Sequence, residues 1–293
     1  MQFYKYSTIR FLLIVMYIHT IIFTCNARPR KTKTITVKNT NTQSTKQVII
    51  FDLTNVLLKE NQIGFAKKIG YGKLASYTLT HWKNPGYRCL DMLATMSNHE
   101  TQKPHITITI NNRRMPRCLV ELQEGKKNCA QIKTEILQGI DMLDTQKFFT
   151  SAKEKKLMTN IMKLVLDPDT VTTIIEPVKP TVQLVQKLKA AGHLCYGCGN
   201  APEELYTATK NKLSEVIDLF DGIFISSQAQ SVKPEPEIYN QLIAMYNLTP
   251  AHCIAIEDLE ASAATARKLG MQAIVFNKPS HLTKQLKKCG VNV

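Results

Sequence analysis

Apolar positions in the C-terminal half of the chain switch repeatedly between two periods, and the switching predicts alternating helices and strands. Residues 181–188 repeat at helical spacing, with Pro180 at the start and Gly192 beyond the end, the expected punctuation of a helix. Residues 193–198 form a short apolar run that stops at Gly199-Asn200, hence a strand, and 203–219 return to the helical period. The pattern continues with a strand over 222–226, a helix over 236–246 and a strand over 252–256. An Ala-rich helix over 261–269, stopped by Gly270, and a strand over 272–276 complete it. Such βαβ repetition implies a three-layer, Rossmann-like α/β fold, a mostly parallel sheet with helices on both faces.

One further strand belongs to this sheet. Val48-Ile49-Ile50-Phe51 is apolar throughout and rich in β-branched residues, which suits a strand buried on both faces. A block from about 60 to 178 separates it from the next clear unit. That block contains the sole tryptophan, Trp82, helix-like stretches over 131–143 and 152–165, and no sustained alternation. Residues 105–110 do alternate, and read as an isolated strand or as a buried segment. The block is expected to be a helical cap over the C-terminal edge of the sheet. The organisation is then a core of 47–58 and 179–293, with a cap of 59–178.

The N-terminus reads as a targeting segment. Lys5 and Arg10 precede a nearly unbroken apolar run over 11–24, interrupted by His19, and the small residues of Cys25-Asn26-Ala27 follow. The run is short for a span of about 20 residues, which favours a secretory signal peptide. Arg28, Arg30, Lys31 and Lys33 come directly after it and favour an uncleaved anchor instead. The chain is accordingly expected to be exported (periplasmic or secreted), or tethered to a membrane through residues 1–27. Residues 28–46, polar and basic, are expected to be a disordered linker.

Apolar and charged fractions are those of an ordinary globular protein, with room for a sizeable core. The formal charge of +15 first suggests nucleic acid or anionic lipid. Residues 1–46 hold eight of the basic residues and no acid, so more than half of the excess lies outside the predicted fold. No nucleic-acid partner is expected, and the remaining basicity is assigned to solubility. Cys195 and Cys198 have redox C-x-x-C spacing, but they lie at the end of a strand rather than at the start of a helix. Residues three apart on a strand point to opposite faces, which favours two buried thiols over a redox pair. No Cys/His spacing resembles a zinc site.

Chemistry gathers at strand ends. Asp52 follows the first strand, Lys233 follows the strand over 222–226, and Glu257-Asp258 follow the strand over 252–256. Each has a plain reading: a turn-capping aspartate, a solvated loop lysine, an acidic pair at a helix N-terminus. Together they are what phosphoryl transfer requires. One carboxylate attacks phosphorus, a cation spreads the charge, and further carboxylates hold Mg²⁺, which takes oxygen ligands and keeps several waters.

These segments also resemble one known family. Phe51-Asp52-Leu53-Thr54-Asn55-Val56-Leu57 resembles the first motif of the haloacid dehalogenase-like hydrolase superfamily. Ser231-Val232-Lys233-Pro234-Glu235-Pro236-Glu237-Ile238-Tyr239 is similar to its lysine motif, and 256–266 to its acidic metal motif. Asn200-Ala201-Pro202-Glu203-Glu204 resembles the segment after its second motif, and 121–127 a cap segment of phosphatase-like members. The resemblance implies that Asp52 is nucleophile and magnesium ligand, and that Thr54 offers its backbone carbonyl to the metal. It further implies that Lys233 neutralises Asp52 and the phosphoryl group, that Asp258 binds Mg²⁺, and that Glu257 acts through a metal-bound water. Gly199, Asn200 and Lys233 would bind the phosphate of a small phosphorylated substrate.

Two positions depart from the family. Thr54 stands where its phosphatases carry a second aspartate as general acid and base, and a hydroxyl has no pKa near neutrality with which to replace it. Gly199 stands where the family has Ser or Thr, with the thiol of Cys198 and the amide of Asn200 as possible substitutes. Three readings follow: a phosphatase or phosphotransferase slow in hydrolysis, a catalytically impaired binding or scaffolding protein, and, more remotely, non-phosphoryl chemistry such as dehalogenation.

Overall fold

The computed structural model describes residues 46–81, 85–96, 109–110 and 113–293. The leader, nearly all of the linker, Trp82 and residues 105–108 lie outside these. In chain order, β1 (Val48–Phe51) and β2 (Leu58–Glu60) precede α1 (Gln62–Ile69), α2 (Tyr71–His81) and α3 (Pro85–Met96). A two-residue ladder of β3 (Thr109–Ile110) and β4 (Arg113–Arg114) follows. Next come α4 (Arg117–Gln123), α5 (Cys129–Thr145), α6 (Ala152–Val165), α7 (Pro168–Ile174) and β5 (Ile175–Pro177). The remainder is α8 (Lys179–Ala190), β6 (Leu194–Gly199), α9 (Glu203–Lys212), α10 (Ser214–Ile217), β7 (Gly222–Ile225) and α11 (Ser226–Ala229). It ends with α12 (Pro236–Met245), β8 (Cys253–Glu257), α13 (Glu260–Lys268), β9 (Gln272–Val275) and α14 (Pro279–Lys288).

Five strands form one parallel sheet in the order β7-β6-β1-β8-β9. β1 occupies the middle, and every one of its side chains is buried, as its unbroken apolar run requires. Ile49 and Phe51 join a cluster with α8, α10 and α14, whereas Val48 and Ile50 join α12 and α13 on the other face. Each fully buried Ile or Phe contributes about 1.5–3 kcal/mol. Cys195 and Cys198 divide between the same two clusters, so the strand reading holds, and both are free, buried thiols. Burial pushes each of them up to about 12.

The helix expected over 203–219 is instead two. Leu213 leaves helical geometry between α9 and α10, at φ −118° and ψ 35°. The break serves two cores at once: Leu205 packs among the helices between β2 and β5, while Leu213, Val216 and Phe220 pack on the sheet.

Helices α1–α7 lie in sequence between β2 and β5, which pair antiparallel and bring the two crossings of the chain together. Their starts are written in the sequence. Asn128 and Gln131 form a reciprocal capping box at α5, Ser151 caps α6, and Asp167 followed by Pro168 opens α7. This helical insert has its own hydrophobic cluster, which also takes in Leu205 and Val232 from the sheet domain. The α4–α5 turn lies against the sheet domain: the Ser226 hydroxyl donates to the Gln123 carbonyl at 2.6 Å, and the Cys129 N–H donates to Glu204 at 2.8 Å. Gly125, at φ +67°, sits so close to Ser227 that a Cβ would fall 2.9 Å from its carbonyl oxygen. Among the described residues no helix is long and apolar enough to cross a membrane.

Candidate active site

β1 leads directly into Asp52, whose N–H completes the ladder to the Ile256 carbonyl at 2.9 Å. The next residues turn sharply. Leu57 and Leu58 both donate back to the Leu53 carbonyl, and Asn55 takes the left-handed conformation at φ 63°, which a short polar side chain tolerates. The turn aims the Asn55 amide at Asp258 Oδ2, 2.8 Å away across the sheet edge. Thr54 is half-buried at the crest, its backbone bridged to Leu58.

Lys233 reaches the same point from beyond β7. Its ammonium has three hydrogens, and all are used: on Asp52 Oδ1 at 2.8 Å, on Glu257 Oε2 at 2.7 Å and on the Cys198 carbonyl at 2.8 Å. Asp52 Oδ1 also accepts the Leu53 N–H at 2.8 Å. The lysine is only 5 % exposed, and burial by itself would lower its pKa. The carboxylates of Asp52 and Glu257 outweigh that and hold it well above the usual lysine range, so it is a fixed cation.

Glu257 is fully buried, and burial raises its carboxyl against the opposing pull of Lys233. Its second oxygen accepts the Tyr239 hydroxyl at 2.9 Å. Each oxygen therefore has a donor within the protein, which makes Glu257 the partner of both Lys233 and Tyr239. Burial and the neighbouring charge of Asp52 raise Asp258, which has the Asn55 amide as its donor. Asp52 and Asp258 thus crowd two carboxylates that a single lysine does not neutralise.

That crowding is the kind of environment a divalent cation relieves, and the donors are all oxygen, which suits Mg²⁺. Among the described residues no three His, Cys, Asp or Glu side chains form a metal cluster. The fit rests on two carboxylates, Asp52 and Asp258, with the Thr54 carbonyl, a set sufficient for an ion that keeps most of its water.

Of the three expected phosphate-binding residues, Gly199 and Asn200 are arranged differently from the expectation. At Gly199, which ends β6, an added Cβ would fall 2.8–2.9 Å from Leu53 side-chain atoms, so Leu53 occupies the room a Ser or Thr would need. The Asn200 amide is turned onto the backbone of Lys233, accepting its N–H at 2.8 Å and donating to its carbonyl at 3.1 Å. Cys198 contributes its carbonyl rather than its thiol. Asn200 therefore positions the lysine. Ser226 continues this support, since its hydroxyl oxygen accepts the Ala201 N–H at 3.0 Å.

The sequence reading passed over Asn55, Tyr239 and Leu53. Asn55 carried a legible signal, a turn-forming residue three after a strand-end aspartate. Tyr239 lies six residues beyond Lys233 on α12, and nothing local marked it as the partner of a buried glutamate.

A model of the haloacid dehalogenase-like hydrolase family matches residues 46–270. Flavin mononucleotide hydrolase 1 of Arabidopsis thaliana is 33% identical over 111 residues, 38% of this chain and 44% of that protein. A sesquiterpene phosphatase of Aspergillus oryzae is 28% identical over 118 residues, 40% of this chain and 57% of that one. The chain therefore spans about half the length of these relatives. An enzyme of the same family from Bacteroides thetaiotaomicron, solved with magnesium and inorganic phosphate, superposes with a TM-score of 0.51 at 13% identity. That match covers 81% of this chain and 99% of the other, and it shows likeness of fold.

Proposed function

Because the chain belongs to the haloacid dehalogenase-like hydrolase family, we propose that it is a Mg²⁺-dependent phosphatase or phosphotransferase acting on a small phosphorylated molecule through an aspartyl phosphate on Asp52. The observation that carries this reading is the Lys233 ammonium locked between Asp52 and Glu257, beside the crowded carboxylate of Asp258.

In the first step an Asp52 oxygen attacks phosphorus, the bond from phosphorus to the leaving oxygen breaks, and the departing alkoxide takes its proton from water. In the second, water attacks the aspartyl phosphate and the Asp52–phosphorus bond breaks. Phosphate leaves, the carboxylate is restored, and a proton passes to solvent. An alcohol in place of that water makes the reaction a phosphotransfer. Lys233 holds Asp52 in place and offsets charge gathering on the phosphoryl oxygens. Glu257, gripped by Tyr239, keeps Lys233 from swinging away. Asp52, Asp258 and the Thr54 carbonyl would hold Mg²⁺, which when bound shields the repulsion between carboxylate and phosphate.

Thr54 cannot supply the proton transfers that an aspartate would. Both steps then lack general acid–base help, typically about 10²–10⁴-fold in rate. The helical insert is proposed to act as the cap that selects substrate, and residues 1–27 as the leader that exports or anchors the protein. The phosphatases among its relatives support a phosphorylated substrate.

The test incubates the purified full-length chain with a panel of phosphoesters and Mg²⁺, beside Asp52→Asn. Slow phosphate release that Asp52→Asn and chelation both abolish is the expected result. No release from any ester would overturn the enzymatic reading. Release unchanged by Asp52→Asn would overturn the mechanism.

A further inference from the structure

The site occupies the C-terminal edge of the sheet, and the opposite edge has the opposite charge. α8 and α13 each run toward that opposite edge before the next strand begins, and α14 returns to it after β9. All three carry bases in their last turns and no acid there. Lys187, Lys268, Lys284, Lys287 and Lys288 are exposed, and none is in an ion pair among the described residues. The nearby acids are few: Asp221 is paired to Lys189 at 2.5 Å, and Glu215 and Asp218 lie on and just after α10.

A base in a helix's last turn complements the helix dipole, and one helix so ended would mean nothing more. Two observations go further. Lys284 lies mid-helix, on the exposed side of α14, which has no acid anywhere. The N-terminal segment also enters the fold at this edge: the Gln47 N–H donates to His193 Nδ1 at 3.2 Å, and His193 Nε2 meets the Asn292 carbonyl at 3.3 Å, just beyond α14. Residues 1–46, which hold eight bases and no acid, thus join the fold at the edge that is already basic.

We propose that this edge is a docking surface for an anionic lipid membrane, with the catalytic edge facing away from the bilayer and open to soluble substrate. The apolar run over 11–24 decides between polyanions, because a bilayer offers it an apolar phase beneath the charged headgroups and a nucleic acid does not. The proposal extends the reading of residues 1–27 as a leader, and its test separates the two.

Full-length protein is sedimented with phosphatidylcholine vesicles, with and without phosphatidylserine, across a range of salt. A lysine near an anionic surface strengthens partition about fivefold. Wild type should therefore favour the anionic vesicles by roughly tenfold or more, losing that preference as salt rises. The triple variant Lys284→Glu, Lys287→Glu, Lys288→Glu should lose the share of that preference which the folded edge adds, a fall of about tenfold or more that leaves only the share carried by residues 1–46, with thermal unfolding and phosphoester turnover unchanged. If that triple folds poorly, the milder Lys284→Gln, Lys287→Gln should still lower the preference severalfold. Lys67→Glu, Lys68→Glu, Lys73→Glu, equally exposed but on the helical insert, should retain it. Equal partition of wild type onto neutral and anionic vesicles would leave the leader as the sole attachment and overturn the inference. So would equal losses in the two triples, or preference for an RNA or DNA duplex over vesicles at the same salt.

Discussion

At Gly199 the missing side chain and Leu53 account for each other. A Cβ there would fall 2.8 Å from Leu53 Cδ1 and Cγ, and a Cβ on Gly197, two residues back on the strand, would fall 3.0 Å from Leu53 Cδ2. Gly199→Ser alone should therefore overpack the turn, costing about 1–3 kcal/mol in thermal or urea unfolding. Adding Leu53→Ala should recover part of that loss, and additive costs would show that the two positions are independent. In the proposed mechanism Thr54 limits the chemistry in a different way. Thr54→Asp restores a proton-transferring carboxylate, so phosphate release should rise by about 10²-fold in stopped or continuous assays, and an unchanged rate would mean that proton transfer is not limiting. Asn200→Ala frees the Lys233 backbone on both sides. It should lower kcat about tenfold or more with KM nearly unchanged, because a nucleophile held by a displaced cation reacts poorly while substrate still binds. Asn200→Asp keeps the acceptor for the Lys233 N–H and should recover part of the activity.

Among the elements, α2, α3 and α6 meet on one buried carboxylate. Glu154 accepts Arg88 Nε at 2.7 Å, and both the N–H and the hydroxyl of Thr150 at 2.6 Å, while the Arg88 guanidinium lies 3.8 Å over the Phe148 ring. Burial alone would raise this carboxyl, but Thr150 and Arg88 overcome that and hold it below its ordinary 4.5. A carboxyl depressed in the folded state contributes stability above its unfolded pKa and loses it as the pH falls through the folded value. Wild type should accordingly weaken as the pH drops below about 4.5, and Glu154→Gln should be destabilised by about 3 kcal/mol at neutral pH with a flatter acid limb. Coincident acid limbs would contradict this account. The same elements show what a sequence discloses. α5 and α6 were legible because caps and a sustained period marked them. β2 and β5, three residues each, are too short to show a period, and the break at Leu213 follows from two cores competing for one helix.

For the molecule as a whole, the order of the sheet assembles the site. Placing β1 between β6 and β8 puts Asp52 beside the Cys198 carbonyl and the Glu257-Asp258 pair, and Lys233 arrives from beyond β7. Sequence disclosed Asp52, Lys233 and the acidic pair as residues of one sheet edge, since each follows a strand whose apolar run announces its end. It did not disclose how they are supported. Tyr239 on Glu257, Asn200 on Lys233 and Ser226 linking to the insert are contacts between distant segments, and no local pattern encodes them. The central claim is that Asp52 carries the phosphoryl group and that Thr54 leaves it there for long. Rapid acid quench of the full-length chain with Mg²⁺ and an accepted phosphoester, followed by mass mapping of the peptide holding residue 52, measures this directly. The account predicts a phosphorylated Asp52 that accumulates in wild type, is absent in Asp52→Asn and decays faster in Thr54→Asp. Turnover with no label on residue 52 would contradict it.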